Sequence, residues 1–270
     1  MKKIDTLSNK LLVFGGVYSN LQALEALKKI AEDQGFDANH IICTGDIIAY
    51  CAQPVECVEL MRDWGIHTIS GNVEQQIAEG LDDCACDFTE GGRCDIFSKQ
   101  WYPFAQSKIK EENLKWVQSL PEFITFNYHD HKVVVLHGSY HDTSEFIFRS
   151  TEWNVKQKNF DDTGADIILS GHCGLPFSQS KNNQHWLNAG VIGMPANDGQ
   201  PHVWYMTIEM KDDQLHFEHH KLNYDHETAA SKMNDHKLVP TYAETLRTGL
   251  WDNMEILPKE ERELKGQNPF

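Results

Sequence analysis

The first third of the chain alternates short apolar runs with segments of helical periodicity. Strands are predicted in the run LLVFGGV, in NHIICTGDIIAY as far as Gly45–Asp46, and in HTISGNVEQQI as far as Gly71–Asn72. Helices are predicted between them over SNLQALEALKKIAEDQGF and PVECVELMRDWG. Because a helix that connects two strands carries the chain back across the sheet, this order predicts parallel strand pairs and an α/β fold.

Composition limits the partners of such a fold. The chain has 270 residues, enough to bury one large core, and a formal net charge of -16 from 40 acidic and 24 basic residues. This charge repels phosphate backbones, so no nucleic-acid polymer is expected as a partner. No apolar stretch approaches the roughly 20 residues that cross a bilayer, and MKKIDTLSNK lacks a signal-peptide pattern. We therefore expect no membrane partner and a cytoplasmic location, while the oligomeric state stays open.

The domain organisation is expected to be simple. Residues 80–100, GLDDCACDFTEGGRCDIFSKQ, interrupt the strand–helix pattern with Gly, Asp and Cys and are predicted as an inserted loop. Strand patterns dominate the second half, and two short helices close the domain near residue 250. We therefore expect one domain over residues 1–250 and a C-terminal tail over residues 251–270.

Four predicted strands end in a polar residue beside a glycine. The pairs are GD (45–46), GN (71–72), HG (137–138) and GH (171–172). Strand ends at one edge of a sheet converge, and glycine lets the backbone turn close to a ligand. Mixed oxygen and nitrogen donors of this kind suit Mn, Fe or Zn. The sequence therefore predicts a divalent metal site, and candidate catalytic residues, at Asp46, Asn72, His137 and His172.

The order of these motifs resembles that of the calcineurin-like metallophosphoesterases, and in particular their small bacterial phosphodiesterase branch. That family's pattern runs D-x-H, GD, GN, H-G and G-H-x-H, and the counterparts here are GVY (16–18), GD, GN, HG and GHCG (171–174). Four further segments resemble parts of the family outside the metal motifs: SNLQALEAL, GDIIAYCAQPVECVELMR, LNAGVIGMP and LNYDHETAA. The similarity therefore covers residues 11–250. It implies a four-layer α/β/β/α sandwich with the site at the strand ends.

The resemblance also implies an activity. It predicts a hydrolase of the metallophosphoesterase type that holds one or two divalent ions and cleaves a small phosphoester with a metal-activated water. The expected partner is a small phosphorylated molecule, which is a phosphodiester, a phosphomonoester or a nucleotide. The alternatives are a non-catalytic relative that binds a metal or another ligand, and a metalloenzyme of another class with a cysteine-held metal centre.

Three positions depart from the family pattern. Gly16 and Tyr18 stand where the family has an aspartate and a histidine ligand, and Gly174 stands where it has the second histidine of G-H-x-H. The family has two metal sites that share the aspartate of the GD motif. The resemblance implies that one site is complete here, with Asp46, Asn72, His137 and His172, and that the other site retains only the shared Asp46. If the second ion supplied ~4 kcal/mol of transition-state stabilisation, its loss would slow the reaction about a thousandfold.

Cysteines offer a replacement for the missing ligands. Cys84, Cys86 and Cys94 lie in the predicted loop, and Cys173 directly follows His172. As thiolates they would suit Zn or Fe, and they would then hold a second ion or a redox centre. The C-x-C spacing differs from that of ordinary zinc knuckles, so a disulfide and unreactive free thiols stand as alternatives.

Three further residues are candidates for lining the site or contacting the substrate. The hydroxyl of Tyr18 is able to ligate iron or to bind a phosphate, and the ring alternatively fills the space that a histidine leaves. Glu74 is a candidate leaving-group acid or a cap of the helix that follows the GN motif. His141 follows the HG motif and either contacts the substrate or belongs to a polar loop.

Overall fold

A computed structural model describes residues 1–270 as an alternation of strands and helices. The strands are β1 (Lys2–Lys3), β2 (Leu11–Phe14), β3 (Ile41–Cys43), β4 (His67–Thr68), β5 (Ile124–Tyr128), β6 (His131–Val135), β7 (Ile167–Ser170), β8 (Phe177–Lys181), β9 (Gln184–Asn188), β10 (Val203–Lys211) and β11 (Gln214–Leu222). The helices are α1 (Leu21–Asp33), α2 (Pro54–Trp64), α3 (Asn72–Glu79), α4 (Arg93–Lys108), α5 (Glu111–Ser119), α6 (Trp153–Thr163), α7 (His226–Asp235), α8 (Pro240–Thr248) and α9 (Lys259–Arg262). None of the helices combines the length and the apolar character that a membrane crossing needs.

The strands form two sheets. The first has the order β11-β10-β2-β3-β4, in which β2, β3 and β4 are parallel to one another and β10 is antiparallel to both of its neighbours. The second has the order β1-β5-β6-β7-β9-β8, with parallel pairs β6–β7 and β7–β9. In the first sheet Val13 pairs with Ile42 on one side and Met206 on the other. The parallel pairs predicted for the first third of the chain are therefore present.

The two sheets pack face to face, and each carries helices on its outer face. Successive residues of β2 alternate: Leu11 and Val13 belong to the core between the sheets, whereas Leu12 and Phe14 belong to the core beneath the helices. Both faces of this strand are buried, and for that reason its sequence is apolar throughout. On the outer face of the second sheet, α6 contributes Phe160 to a third core. The predicted four-layer α/β/β/α sandwich is confirmed.

The predicted loop over residues 80–100 is only partly a loop. Irregular chain follows α3, but α4 begins at Arg93 and continues well beyond residue 100. The buried residues of α4 recur at helical spacing: Cys94, Ser98, Trp101, Tyr102 and Ala105. The prediction was wrong over residues 93–100 because the glycines before this helix resemble loop sequence, whereas burial of its apolar face stabilises it.

Residues 251–270, expected to form a tail, pack against the rest of the chain. Leu257 is buried in the core outside the second sheet. The carboxylate of Glu261 accepts a hydrogen bond from the backbone N–H of Ser150 at 2.9 Å, and the N–H of Gly266 donates to a backbone carbonyl of the domain at 2.8 Å. Because this segment buries apolar side chains and exchanges hydrogen bonds with the domain, it is part of the folded unit.

Substitution of Leu257 by alanine tests whether this segment belongs to the core. Leu257 exposes 1% of its surface, so Leu257→Ala should lower the free energy of unfolding by about 2–4 kcal/mol. Leu264 in the same segment is 41% exposed, and Leu264→Ala should change that free energy by no more than about 0.5 kcal/mol. Chemical denaturation measures both variants, and two equally small effects would show that the segment is a tail.

Candidate metal centre

The predicted metal ligands lie at one edge of the sandwich. Asp46 follows β3 and Asn72 begins α3 just beyond β4, next to the first sheet. His137 and His172 follow β6 and β7 of the second sheet. Because β3 and β4 are parallel, as are β6 and β7, the carboxyl ends of each pair open to the same edge. The centre lies where both sheets end, so its geometry depends on how the sheets pack.

The side chain of His137 stands in the middle of the group. Its Nε2 atom lies 3.1 Å from Oδ1 of Asn72, 3.1 Å from Nδ1 of His172 and 3.2 Å from Oδ2 of Asp46. Ligand atoms of Asp46, His137 and His172 all lie within 4.8 Å of one another. All four side chains are buried. The structure thus brings the four predicted ligands together at one point.

Hydrogen bonds to residues outside the group fix which atoms of His137 and Asn72 face the other predicted ligands. Nδ1 of His137 lies 2.7 Å from the carbonyl oxygen of Thr44. Because a carbonyl only accepts, Nδ1 carries the hydrogen, and Nε2 of the neutral ring presents a lone pair. Nδ2 of Asn72 donates to the carbonyl of Cys84 at 2.8 Å, which turns Oδ1 toward His137. The carboxylate of Asp46, Oδ1 of Asn72 and Nε2 of neutral His137 all present lone pairs at these distances and repel one another unless a positive charge lies between them, so this donor set fits a divalent ion.

Two buried polar atoms of the group have no hydrogen-bond partner. They are Oδ1 of Asp46 and Nε2 of His172. An unpaired buried polar atom costs about 1–3 kcal/mol, and a folded protein tolerates it where the atom serves a ligand. Carboxylate, amide and imidazole donors together suit Mn, Fe or Zn. The centre is therefore a possible metal-binding group by its chemistry as well as by its geometry.

Burial and neighbouring charges set the protonation of the two histidines. Burial lowers the pKa of His172 to about 3, and the neighbouring His137 acts in the same direction. Burial also opposes protonation of His137, but the Asp46 carboxylate and the Thr44 carbonyl outweigh it and raise the pKa of His137 above its ordinary value. His172 is thus a neutral ligand. Asp46 draws a positive charge to the middle of the group, either a proton on His137 or a metal ion.

Glu74 holds the turn that carries Asp46. Its carboxylate accepts hydrogen bonds from the backbone N–H groups of Asp46 at 2.8 Å, Ile48 at 2.9 Å and Gly71 at 2.9 Å. Burial, followed by the charge of Asp46, raises the pKa of Glu74 to about 7. Both carboxylate oxygens are engaged inside the protein, so the geometry does not support Glu74 as a leaving-group acid. It supports the alternative, a helix cap, and adds the positioning of Asp46.

The four candidate cysteines do not gather into a second metal group. Cys84 and Cys86 are joined as a disulfide, which was one of the expected alternatives. The Sγ of Cys94 lies 3.3 Å from Oδ1 of Asn253, and burial raises the pKa of this thiol to about 11. Burial also raises the pKa of the Cys173 thiol to about 12. The ligand atoms that lie close enough to share one ion belong to Asp46, His137 and His172 and include no cysteine, so the structure does not place these cysteines as replacements for the missing ligands.

The disulfide nevertheless contacts the centre. Nδ2 of Asn72, which donates to the carbonyl of Cys84, also lies 3.3 Å from Sγ of Cys86. Both contacts hold the amide with its oxygen toward His137. The cysteine loop therefore positions a ligand instead of supplying one.

The family model for the calcineurin-like phosphoesterase superfamily domain matches residues 10–213 of this chain. The chain belongs to that superfamily. An uncharacterized protein of Methanocaldococcus jannaschii is 28% identical over 258 residues, which cover 88% of this chain and 98% of that protein. The resemblance read from the GD, GN, HG and GHCG motifs is therefore confirmed at the level of the superfamily.

Two solved structures share the fold of this superfamily member. A hypothetical protein from Pyrococcus horikoshii OT3 is similar with a TM-score of 0.74 at 16% identity, covering 90% of this chain and 99% of that chain. A metallophosphoesterase from Sphaerobacter thermophilus is similar with a TM-score of 0.69 at 23% identity, covering 90% of this chain and 100% of that chain. The shared architecture extends over nearly the whole chain.

The three residues that depart from the superfamily pattern, Gly16, Tyr18 and Gly174, lie next to one another. A Cβ on Gly16 would lie 2.5 Å from Cε1 of Tyr18, and one on Gly174 would lie 3.8 Å from its hydroxyl oxygen. The buried ring of Tyr18 packs edge-on against Tyr50, with 4.7 Å between their centroids. Burial raises the pKa of Tyr18, so its phenol is neutral. The ring fills space beside both glycines, which is the space-filling alternative expected for this tyrosine.

His141 takes no part in the group. Its Nε2 lies 3.0 Å from the carboxylate of Asp162 and 2.7 Å from Nζ of Lys158, both on α6. These contacts lie on a partly exposed surface, so the structure does not bring His141 to the predicted ligands.

Sequence reasoning missed the aromatic residues beside the centre. The ring of Phe146 lies 4.3 Å from the ring of His172, and Trp251 lines a cavity together with Asp46 and His172. Trp251 lies in the segment expected to be a tail. The apolar residues of WDNMEIL were the available signal, because a solvated tail rarely carries so many.

A double-mutant cycle tests whether the ring of Tyr18 occupies the space beside Gly16. Gly16→Ala should lower the free energy of unfolding by about 1–3 kcal/mol, because the new methyl group overlaps the ring. The loss should shrink by at least about 1 kcal/mol in a Tyr18→Ala background and persist in a Tyr18→Phe background, which retains the ring. Chemical denaturation supplies the four free energies of each cycle. Additive effects of Gly16→Ala and Tyr18→Ala would contradict this packing.

Proposed function

We propose that this protein is a divergent metal-dependent phosphoesterase that hydrolyses a small phosphorylated molecule. The observation that carries the proposal is the convergence of the side chains of Asp46, Asn72, His137 and His172 on one point that also borders a cavity. Membership of the calcineurin-like phosphoesterase superfamily supports the same reaction class. The proposed substrate is a phosphodiester, a phosphomonoester or a nucleotide.

The residues of the centre have distinct parts in this proposal. When bound there, a divalent ion supplies Lewis-acid chemistry, since it polarises a phosphoryl oxygen and lowers the pKa of water. The charge of Asp46 retains a cation in a buried site, and the neutral His172 keeps its lone pair available. Thr44 fixes the tautomer of His137, so that Nε2 is free of hydrogen. Glu74 holds the backbone of Asp46 and stays outside the reaction.

Apart from His137, whose Nε2 belongs to the donor set, the residues at the centre offer no acid suited to protonate a leaving group near neutral pH. Glu74 is held by three backbone N–H groups, the pKa of His172 is about 3, and burial raises the pKa of Tyr18. A leaving group must therefore depart as an anion, which favours phosphoesters of acidic alcohols such as phenols. If a second ion would stabilise the transition state by ~4 kcal/mol, turnover with one ion is about a thousandfold slower than turnover with two.

A second candidate function is a non-catalytic metal- or ligand-binding role. The observation that favours it is the ring of Tyr18 in the space beside Gly16 and Gly174, where the family resemblance places further metal ligands. Under this alternative the centre binds an ion, but no phosphoester is turned over.

Hydrolysis of bis(4-nitrophenyl) phosphate by the Mn-loaded protein distinguishes the two functions. We expect release of 4-nitrophenolate that falls by about 100-fold or more in Asp46→Asn and in His172→Ala, because each change removes a donor from the centre. His141→Ala is the matched control and should keep the activity, since that histidine lies outside the group. Turnover that survives Asp46→Asn, or no turnover with bound Mn, Fe or Zn, would contradict the proposal.

A further inference from the structure

A cavity of about 80 Å³, which opens to solvent, adjoins the metal centre. Asp46 and His172 belong both to the centre and to the lining of this cavity. A ligand whose phosphate lies at the centre therefore has room beside it for a substituent. The apolar part of the lining includes Tyr50, Phe88, Phe146, Tyr242, Trp251 and Ile256.

The cavity is poor in positive charge. Neither lysine nor arginine lines it, and its two ionisable carboxylates are Asp46 and Asp252. Asp252 is paired with Arg93, whose guanidinium also lies over the ring of Phe97 and does not line the cavity. A ligand with one negative charge at the metal centre leaves no charge unpaired, whereas each further phosphate would be desolvated without a cationic partner.

The apolar surface begins directly at the centre and is held in place. Phe146 packs against the ring of His172 with 4.3 Å between their centroids. Tyr50 packs between Trp101 at 4.8 Å and Tyr242 at 5.0 Å. Rings fixed in this way present a preformed surface on which an aryl or alkyl group is buried with little loss of side-chain freedom.

We propose that the cavity binds the apolar substituent of a monoanionic phosphodiester, an aryl or bulky alkyl group, while the phosphate lies at the metal centre. This inference rests on the proposed phosphoesterase function and narrows its substrate class. Nucleoside polyphosphates and other polyanions are excluded by the missing cations. Small polar diesters fit the centre but make no contact with the apolar lining of the cavity.

Binding to the Mn-loaded protein, measured by titration calorimetry, tests the inference without relying on turnover. Diphenyl phosphate and dimethyl phosphate carry the same charge and differ in their apolar groups. We expect diphenyl phosphate to bind at least about tenfold more tightly, since a buried phenyl ring contributes well over 1.4 kcal/mol, and to bind more tightly than ADP. Equal affinities for the two diesters, or tighter binding of ADP, would overturn the inference.

Substitutions in the apolar lining of the cavity test whether the preference for diphenyl phosphate arises there. Phe88→Ala should reduce the preference for diphenyl over dimethyl phosphate severalfold, while Ile96→Ala, which removes an exposed apolar side chain outside the cavity, should leave it unchanged. Ile256→Lys adds the missing cation and should tighten binding of phenyl phosphate, a dianion. An unaltered preference in Phe88→Ala, together with unaltered binding of phenyl phosphate in Ile256→Lys, would also overturn the inference.

The two proposals fail in different ways. If bis(4-nitrophenyl) phosphate is hydrolysed but diphenyl phosphate has no advantage over dimethyl phosphate, the substrate class is wrong and the phosphoesterase function stands. If diphenyl phosphate binds with the expected dependence on Phe88 but no diester is hydrolysed, the cavity is a ligand site and the phosphoesterase function is wrong.

Discussion

The position of the His137 imidazole is the constraint on which the centre depends. Its Nδ1 donates to the carbonyl of Thr44, and its Nε2 then faces the oxygens of Asn72 and Asp46, which have only lone pairs to offer. Such an arrangement is stable only with a positive charge in the middle. Both sheets contribute to it, so face-to-face packing of the sandwich is what assembles the donor set. The Asp46 turn is fixed separately by the carboxylate of Glu74.

Local sequence patterns predicted an α/β fold with parallel strands and the four residues of the centre, whereas the four-layer sandwich followed from the family resemblance. Each of these residues lies at the end of an apolar run, and the carboxyl ends of parallel strands meet at one edge of a sheet. Long-range contacts decided what could not be predicted. Burial of an apolar face makes residues 93–100 helical, and docking against the second sheet turns residues 251–270 from an expected tail into part of the fold. The Cys84–Cys86 pairing was one of three alternatives, because spacing alone does not separate a disulfide from a metal ligand pair.

Tyr18 links the altered motifs to the chemistry that we propose. Its ring takes the space beside Gly16 and Gly174, so the three departures form one structural change instead of three independent losses. The same ring lines the cavity, together with other aromatic residues. A region that the family resemblance assigns to charged metal ligands is thus apolar here. The missing second set of ligands and the apolar lining of the cavity thus arise from one substitution pattern.

Metal content per chain tests the central claim most directly. Protein reconstituted with Mn, Fe or Zn and freed of excess metal should contain one ion per chain by elemental analysis, and Asp46→Asn should lose it because the charged donor is removed. The double variant Cys94→Ser/Cys173→Ser should retain the ion, since these thiols lie outside the donor set. Two ions per chain, or an ion that survives Asp46→Asn and leaves with the cysteines, would contradict the account.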